Sequence, residues 1–190
     1  GKAPTFAGTA RWVPGFRDLP AGEAEEELLR HYLRAFGPAT VEDFATWTYL
    51  TAADAREIWG RLREELAPVN IVSRSASVLR RDLPALLRAK VDRPIVRLLP
   101  YFDSYLLGHR EKSHLVDAAH YKRVYLPAAW ISPTILVDGR GAGVWILERK
   151  AKHATLRLEP FRPLTREVRE GVAAEVDDIG RFLGTPVTMA

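Results

Sequence analysis

The stretch LLRHYLRAFGPATVEDFATWTYLTAADAREIWGRLREEL, residues 28–66, decides the fold. From Glu23 onward Leu28, Leu29, Tyr32, Leu33 and Phe36 recur at helical spacing, acids crowd the first turn where the helix dipole favours them, and Gly37-Pro38 stops the run. Thr40 then precedes Val41, Glu42 and Asp43, so a hydroxyl cap with an acid three positions on starts a short helix that buries Val41, Phe44 and Ala45 and ends near Thr48. Thr51 caps a third helix with Ala55, Ile58, Trp59, Leu62 and Leu66 on its inner face, finishing before Pro68. A long helix, a short helix, a tight turn and a medium helix are the parts of a helix-turn-helix, because so brief a connector lets the second helix brace the third at a steep angle. Residues 70–77 alternate as a strand, and helix-turn-helix followed by strand and turn is the order of a winged helix. A plain three-helix bundle whose third helix packs inward is the alternative. Arg56, Arg61 and Arg63 belong to the third helix, but Asp54, Glu57, Glu64 and Glu65 share it and repel phosphate, and the turn carries Tyr49 where glycine is common.

On the amino-terminal side, residues 1–22 hold Pro4, Pro14 and Pro20 with Gly1, Gly8, Gly15 and Gly22, which reads as an extended linker or edge strand. On the other side, residues 80–90 read as a short amphipathic helix with Leu83, Leu86 and Leu87 turned inward. Beyond it the period changes to two. Ile95 to Leu99, Tyr105 to Leu107, Thr134 to Val137, Gly143 to Leu147 and Thr155 to Leu158 are short β-rich runs, and Asp138-Gly139-Arg140-Gly141 signals a hairpin. Thr165 caps a last helix with Val168, Val172, Val176, Ile179, Phe182 and Leu183 on one stripe, closed by Gly184 and Pro186. The expected class is α+β: a winged helix-turn-helix over residues 23–92, then a small antiparallel β-barrel or sheet with a C-terminal helix over residues 93–190, after the linker of residues 1–22.

The chain has 190 residues, 47% of them hydrophobic, and no cysteine. Disorder, collagen, a disulfide miniprotein, a thiolate zinc site and a thiol nucleophile are excluded. No apolar run approaches the roughly 18 residues of a spanning helix, and the first residues lack a secretory layout, so the chain reads as cytoplasmic with no membrane partner. The net charge of +4 is unevenly placed. Residues 21–66 carry 5 basic and 10 acidic groups, whereas residues 67–164 carry 17 basic and 8 acidic ones. A phosphate backbone is drawn to the middle of such a chain. An ordinary domain with uneven surface charge is the plain alternative.

The densest polar stretch is Leu98 to Arg110, with Asp103, Tyr105, His109 and Arg110. As metal ligands, Asp103, His109, His114, Asp117 and His120 lie close in sequence, but none repeats the HExxH spacing, and no metal or small-molecule cofactor is expected. As an acid–base pair, Asp103 with His109 or His114 relays a proton only if the fold joins them. No GxSxG or GxxxxGK[ST] motif is present, and Gly139, Gly141 and Gly143 read as hairpin glycines. Trp130, Trp145, Tyr121 and Tyr125, interleaved with cations, suit either base stacking or a core.

Leu29 to Thr40 with Phe44-Ala45-Thr46-Trp47, then Leu98 to Arg110, then Trp130 to Arg140, resemble the bacterial winged-helix DNA-binding family that includes the AlkZ and YcaQ DNA glycosylases. The resemblance runs in unbroken order over about residues 4–185. It implies tandem winged-helix units followed by a β-barrel that together form a DNA cleft, and for some members excision of alkylated bases or unhooking of crosslinks. It also implies a Gln-x-Gln catalytic motif in an amino-terminal winged helix, whereas this sequence contains no glutamine. The chain is therefore expected to match the carboxy-terminal half of such a protein, as a fragment or a shortened homologue, and no catalytic residue carries over.

These readings point to double-stranded DNA as partner, held mainly through its phosphates. The expected contacts are Arg74, Arg80, Arg81 and Arg88 near the wing, and Arg110, Lys122, Arg123, Arg149, Lys150 and Lys152 in the β part, with Arg56, Arg61 and Arg63 as second-line. The competing functions are part of a repair glycosylase whose glutamines lie elsewhere, and a protein-interaction module that uses the acidic helices.

Overall fold

The computed structural model describes residues 6–71, 74–150 and 153–190; Lys152 and the strand positions Val72 and Ser73 lie outside the described residues. A short helix α1 (Thr9–Trp12), all of its residues exposed, interrupts the opening segment that the prolines and glycines led us to expect as an extended linker or edge strand.

The helical unit follows the capping pattern. Helix α2 (Ala21–Phe36) buries Leu29, Tyr32 and Leu33. Helix α3 (Val41–Thr48) opens on a reciprocal cap: Thr40 Oγ1 accepts from Asp43 N at 3.1 Å, and Thr40 N donates to Asp43 Oδ2 at 3.0 Å. Helix α4 (Ala52–Arg61) starts where Thr51 Oγ1 accepts from Asp54 N. The α3–α4 turn requires a left-handed residue, and Tyr49 supplies it at φ 60° with its ring in solvent. Tyr32, Phe44, Ile58 and Leu62 fill the interior, with Tyr32 5.3 Å from Phe44 and 5.2 Å from Trp47 between ring centroids. Each such side chain contributes about 1.5–3 kcal/mol by leaving water.

Helix α4 is shorter than its inner-face pattern suggested. A 3₁₀ turn over Arg63–Glu65 leads into strand β1 (Leu66–Ile71), which pairs antiparallel with β2 (Arg74–Leu79). Leu66 is therefore a strand residue. Pro68 is tolerated because this ladder has only two strands and one side of β1 is unpaired. Helix α5 (Leu83–Arg88) corrects a second expectation, since Leu86 and Leu87 face solvent. Leu66 and Leu79 have already closed the helical core before the chain reaches α5.

The second half is built on an open five-stranded sheet in the order β3-β4-β5-β6-β7. Its strands are β3 (Val96–Leu99), β4 (Thr134–Val137), β5 (Arg140–Arg149), β6 (Ala154–Pro160) and β7 (Val187–Met189). Of the expected antiparallel barrel or sheet, the sheet is formed, and it is not wholly antiparallel, because β7 runs parallel to β6. Helix α8 (Arg166–Leu183) explains the open edge. Its Glu175 accepts from Leu98 N at 3.0 Å, satisfying a donor of edge strand β3, and Gly171 lets the helix approach so closely that a Cβ there would lie 2.7 Å from Val96 Cγ2. Val168, Val172 and Val176 pack on Ile135, Trp145 and Leu156, while Phe182, expected on the same stripe, is exposed. The β4–β5 hairpin turns through Asp138 and Gly139, both left-handed, as the sequence pattern required.

Residues 100–133 cover the other face of the sheet with helices α6 (Ser104–Leu107) and α7 (Tyr121–Val124), burying Leu106, Leu115, Val116, Val124, Ile131 and Val144. The apolar run Tyr105 to Leu107 is thus helical and not a strand. Asp103 accepts from Tyr105 N at 2.9 Å and starts a helical turn, which a three-residue apolar pattern cannot distinguish from a strand. No helix among the described residues is long and apolar enough to cross a membrane.

Candidate functional site

The two halves meet where the end of α2 and the start of α3 lie against the loop of residues 108–114. Gly108 touches the Phe36 ring so closely that a Cβ would lie 2.3 Å from Phe36 Cδ1. Across this seam the Tyr32 hydroxyl donates to Gly108 O at 2.7 Å, and Arg110 N donates to Asp43 Oδ1 at 2.9 Å. Asp43, 1% exposed, also has the Arg74 guanidinium at 3.4 Å. Burial opposes its ionisation, but the Thr40 amide and hydroxyl, the Arg110 amide and the Arg74 charge outweigh that cost and hold its carboxyl below the usual carboxylate range.

Beside Asp43 lies a cleft of about 670 Å³, lined among others by Phe36, Pro38, Arg74, Tyr105, His109, His114 and Arg140. The His109 and His114 rings stand edge to face at 4.6 Å. His109 Nε2 is 3.4 Å from Pro38 O, while His109 Nδ1 and His114 Nε2 are buried and meet no partner among the described residues. Burial pushes the His109 pKa down, and burial together with His109 and Arg74 pushes His114 down to about 4. Both imidazoles are therefore neutral near pH 7. Lys112 anchors the loop by donating to Leu106 O at 2.8 Å and to His109 O, and burial lowers its pKa.

The sign of the histidine effect is fixed. Their folded pKa values lie below the ordinary 6.5, so between pH 6.5 and about 4 the unfolded chain binds protons that the folded chain refuses at His114. Stability is full above that window and falls as pH drops through it. In urea unfolding, His114→Phe is expected to show a shallower loss across the same interval; an unchanged slope would exclude His114 as a source of the acid sensitivity.

The other sequence candidates are spread through the fold. Asp103 caps α6, Asp117 pairs with Arg140, and His120 stacks on Phe161 at 4.1 Å, so neither the Asp103–histidine pair nor the five-residue ligand set is assembled. Among the described residues no three His, Cys, Asp or Glu side chains gather as a metal site. Trp145 is buried and donates to Leu99 O at 2.9 Å, which makes it a core residue, whereas Trp130 is half-exposed beside Tyr101 and Phe102.

The basic residues differ sharply in what already holds them. Arg61 faces Glu25, Glu26 and Glu57; Arg63 pairs with Glu64, Arg123 with Glu159 and Arg74 with Asp43. Arg80 donates to the carbonyls of Glu64 and Leu66. Arg56 and Arg81 have carboxylates only at 3.9 Å. Arg88, Arg110, Lys122, Arg149 and Lys150 are exposed, and none has a carboxylate partner among the described residues. The β5–β6 register separates two of these groups: Arg123 is tied to Glu159, opposite Val144, while Arg149 stands opposite Ala154 at the far end of the ladder. Sequence reasoning missed Phe36, Tyr105 and Arg140 as cleft residues and saw Asp43 only as a cap. The cap spacing was a local signal; the meeting with Arg110 was not.

The fold and its motifs have known counterparts. A relative from Streptomyces sahachiroi, described as an interstrand DNA cross-link repair glycosylase, is 35% identical over 167 residues, covering 85% of this chain and 43% of the relative. The solved structure of Streptomyces sahachiroi DNA glycosylase AlkZ is similar with a TM-score of 0.76 at 30% identity, covering 95% of this chain and 50% of that one. The chain thus spans about half the length of the relatives it matches. A family model described as DNA glycosylase AlkZ-like matches residues 1–182, and with that coverage the chain belongs to the AlkZ-like DNA glycosylase family.

Proposed function

We propose that the chain is a DNA-binding module in which α2, α3, α4 and the β1–β2 hairpin act as a winged helix and the sheet extends the contact surface along the duplex. The observation that carries this reading is that five of the expected contacts, Arg88, Arg110, Lys122, Arg149 and Lys150, are exposed without carboxylate partners among the described residues, as are Lys90, Arg93 and Arg162 of the same basic segment, residues 67–164. A guanidinium or ammonium that no carboxylate neutralises keeps its full attraction for phosphate and releases counterions on contact. Arg61 at the end of α4 and Arg63 in the 3₁₀ turn after it, already facing carboxylates, contribute less, so this stretch adds little charge and the contact is mainly to backbone rather than to base edges. Family membership supports the same partner.

The test is a salt titration of duplex binding. Affinity is expected to fall as salt rises, with a log–log slope of about −0.9 for each phosphate contact made. An affinity independent of salt overturns the reading.

The printed description of the Streptomyces relative favours a second reading, in which this module serves a repair glycosylase acting on alkylated or cross-linked bases. With no glutamine in the sequence, the Gln-x-Gln chemistry would come from outside these residues. The purified chain is then expected to release no free base from alkylated DNA, and measurable release would contradict this division of labour.

A further inference from the structure

Between the helical unit and the sheet runs a stretch that belongs to neither core. Residues 84–93 are exposed without a break, and none of residues 83–95 joins the clusters of buried side chains. Yet the stretch is not polar. Leu86, Leu87, Val91 and Ile95 are 46%, 76%, 59% and 47% exposed. One apolar side chain in water is ordinary, but four this close in the chain make a face that the fold leaves uncovered. The two leucines stand on α5, while Val91 and Ile95 border a shallow cleft of about 460 Å³ with Asp92, Arg93, Pro94 and Asp138. Asp138 is already engaged there, accepting from Ile95 N at 2.9 Å.

The charges among these side chains are mainly positive. Arg88, Lys90 and Arg93 are exposed with no carboxylate partner among the described residues, and Asp92 is the single acid of residues 83–95. Phosphates satisfy such cations but give the aliphatic chains nothing to bury against. An acidic amphipathic helix satisfies both, because its apolar stripe covers the leucines while its carboxylates meet the cations. Helix α5 is under two turns long, too short for the continuous apolar stripe with which a helix lies in a membrane surface. A second copy of the chain is a poor source of the acidic helix. Glu25, Glu26 and Glu27 of α2 already face Arg61 and Arg30, and Glu170, Glu175 and Asp178 of α8 face Arg166, Arg97 and Arg181.

We propose that residues 83–95 dock an acidic amphipathic helix of another protein, packed on Leu86, Leu87 and Val91 and held at its rim by Arg88, Lys90 and Arg93. The contact does not depend on the DNA-binding reading. Arg88 is also an expected phosphate contact, so the partner and a duplex exclude one another at that side chain.

The probe is a labelled synthetic peptide of glutamates with leucine at i, i+3, i+4 and i+7; its control has serine for every leucine at the same charge. In fluorescence anisotropy without DNA, the leucine peptide is expected to bind about tenfold tighter than the serine peptide. Leu87→Ser with Val91→Ser is expected to abolish that preference and to keep the wild-type melting temperature, because both side chains are exposed. Arg88→Gln with Lys90→Gln and Arg93→Gln is expected to weaken the leucine peptide about tenfold, as the loss of three exposed ion pairs implies. Bound peptide is expected to shift the backbone amide resonances of Leu86 to Arg93. Absence of binding overturns the proposal, and so does equal binding of the two peptides, since a bare polyanion then suffices. A leucine preference that survives Leu87→Ser with Val91→Ser, or resonance shifts that spare Leu86 to Arg93, also overturns it. If those resonances respond to phosphatidylglycerol vesicles and not to the peptide, the face belongs to a membrane and the protein partner is ruled out. Duplex binding is read separately in the salt titration, so neither failure is mistaken for the other.

Discussion

Asp43→Ala is expected to lower stability by about 3 kcal/mol, because it removes one member of a buried ionic contact and leaves the others without an acceptor. The loss has several parts that share one side chain. The carboxylate takes the Thr40 amide and hydroxyl, closing the cap of α3, and it takes the Arg110 amide from the opposite half of the molecule. Arg74 loses its counter-ion at the same time. For a chain of this size the melting temperature is expected to fall by roughly 6 to 12 °C. Asp43→Asn keeps an acceptor oxygen but loses the charge, and its effect is expected to be smaller. The pH dependence follows from the lowered folded pKa: the contribution is present above the ordinary carboxyl range and is lost as pH falls through the folded value, so the variants lose less on acidification than the wild type does. Calorimetry at pH 7 is the check. A melting temperature within about 2 °C of the wild type, less than a single kcal/mol would produce, contradicts the account of the seam.

The second large effect concerns DNA. A chain carrying Arg88→Gln, Lys122→Gln, Arg149→Gln and Lys150→Gln together is expected to bind duplex with a salt slope shallower by about 3.6, from about 0.9 per phosphate contact. Between 50 and 200 mM salt the wild type then loses about 150-fold more affinity than the variant. Stability is expected to change little, because all four side chains are exposed and none holds a carboxylate among the described residues. The control is Arg61→Gln with Arg63→Gln. Those guanidiniums already face carboxylates, so the slope is expected to stay near that of the wild type. Equal changes from the two sets would show that pairing within the protein does not select the phosphate contacts.

The contrast between these sets marks the limit of reading charge along a sequence. Counting located the positive excess in residues 67–164, but it ranked Arg74 and Arg123 with Arg88 and Lys122. The fold distinguishes them by bringing Asp43 to Arg74 and Glu159 to Arg123, 31 and 36 positions away in sequence.

What the sequence determined by itself was local. Thr40, Thr51 and Thr165 cap their helices because a hydroxyl and the amide three residues on are in reach whatever the rest of the chain does. Asp138-Gly139 turns its hairpin because both positions accept left-handed backbone. The α+β class, the three helices of residues 21–61 and the apolar stripe of α8 follow from periodicities of a few residues. Only the tertiary structure decided that α8 covers β3 and leaves the sheet open, and that Phe36, Arg74, His109 and Arg140 share one cleft. Those outcomes depend on contacts between residues dozens of positions apart. A periodic pattern records which face of an element is buried, and it carries no record of what the face is buried against.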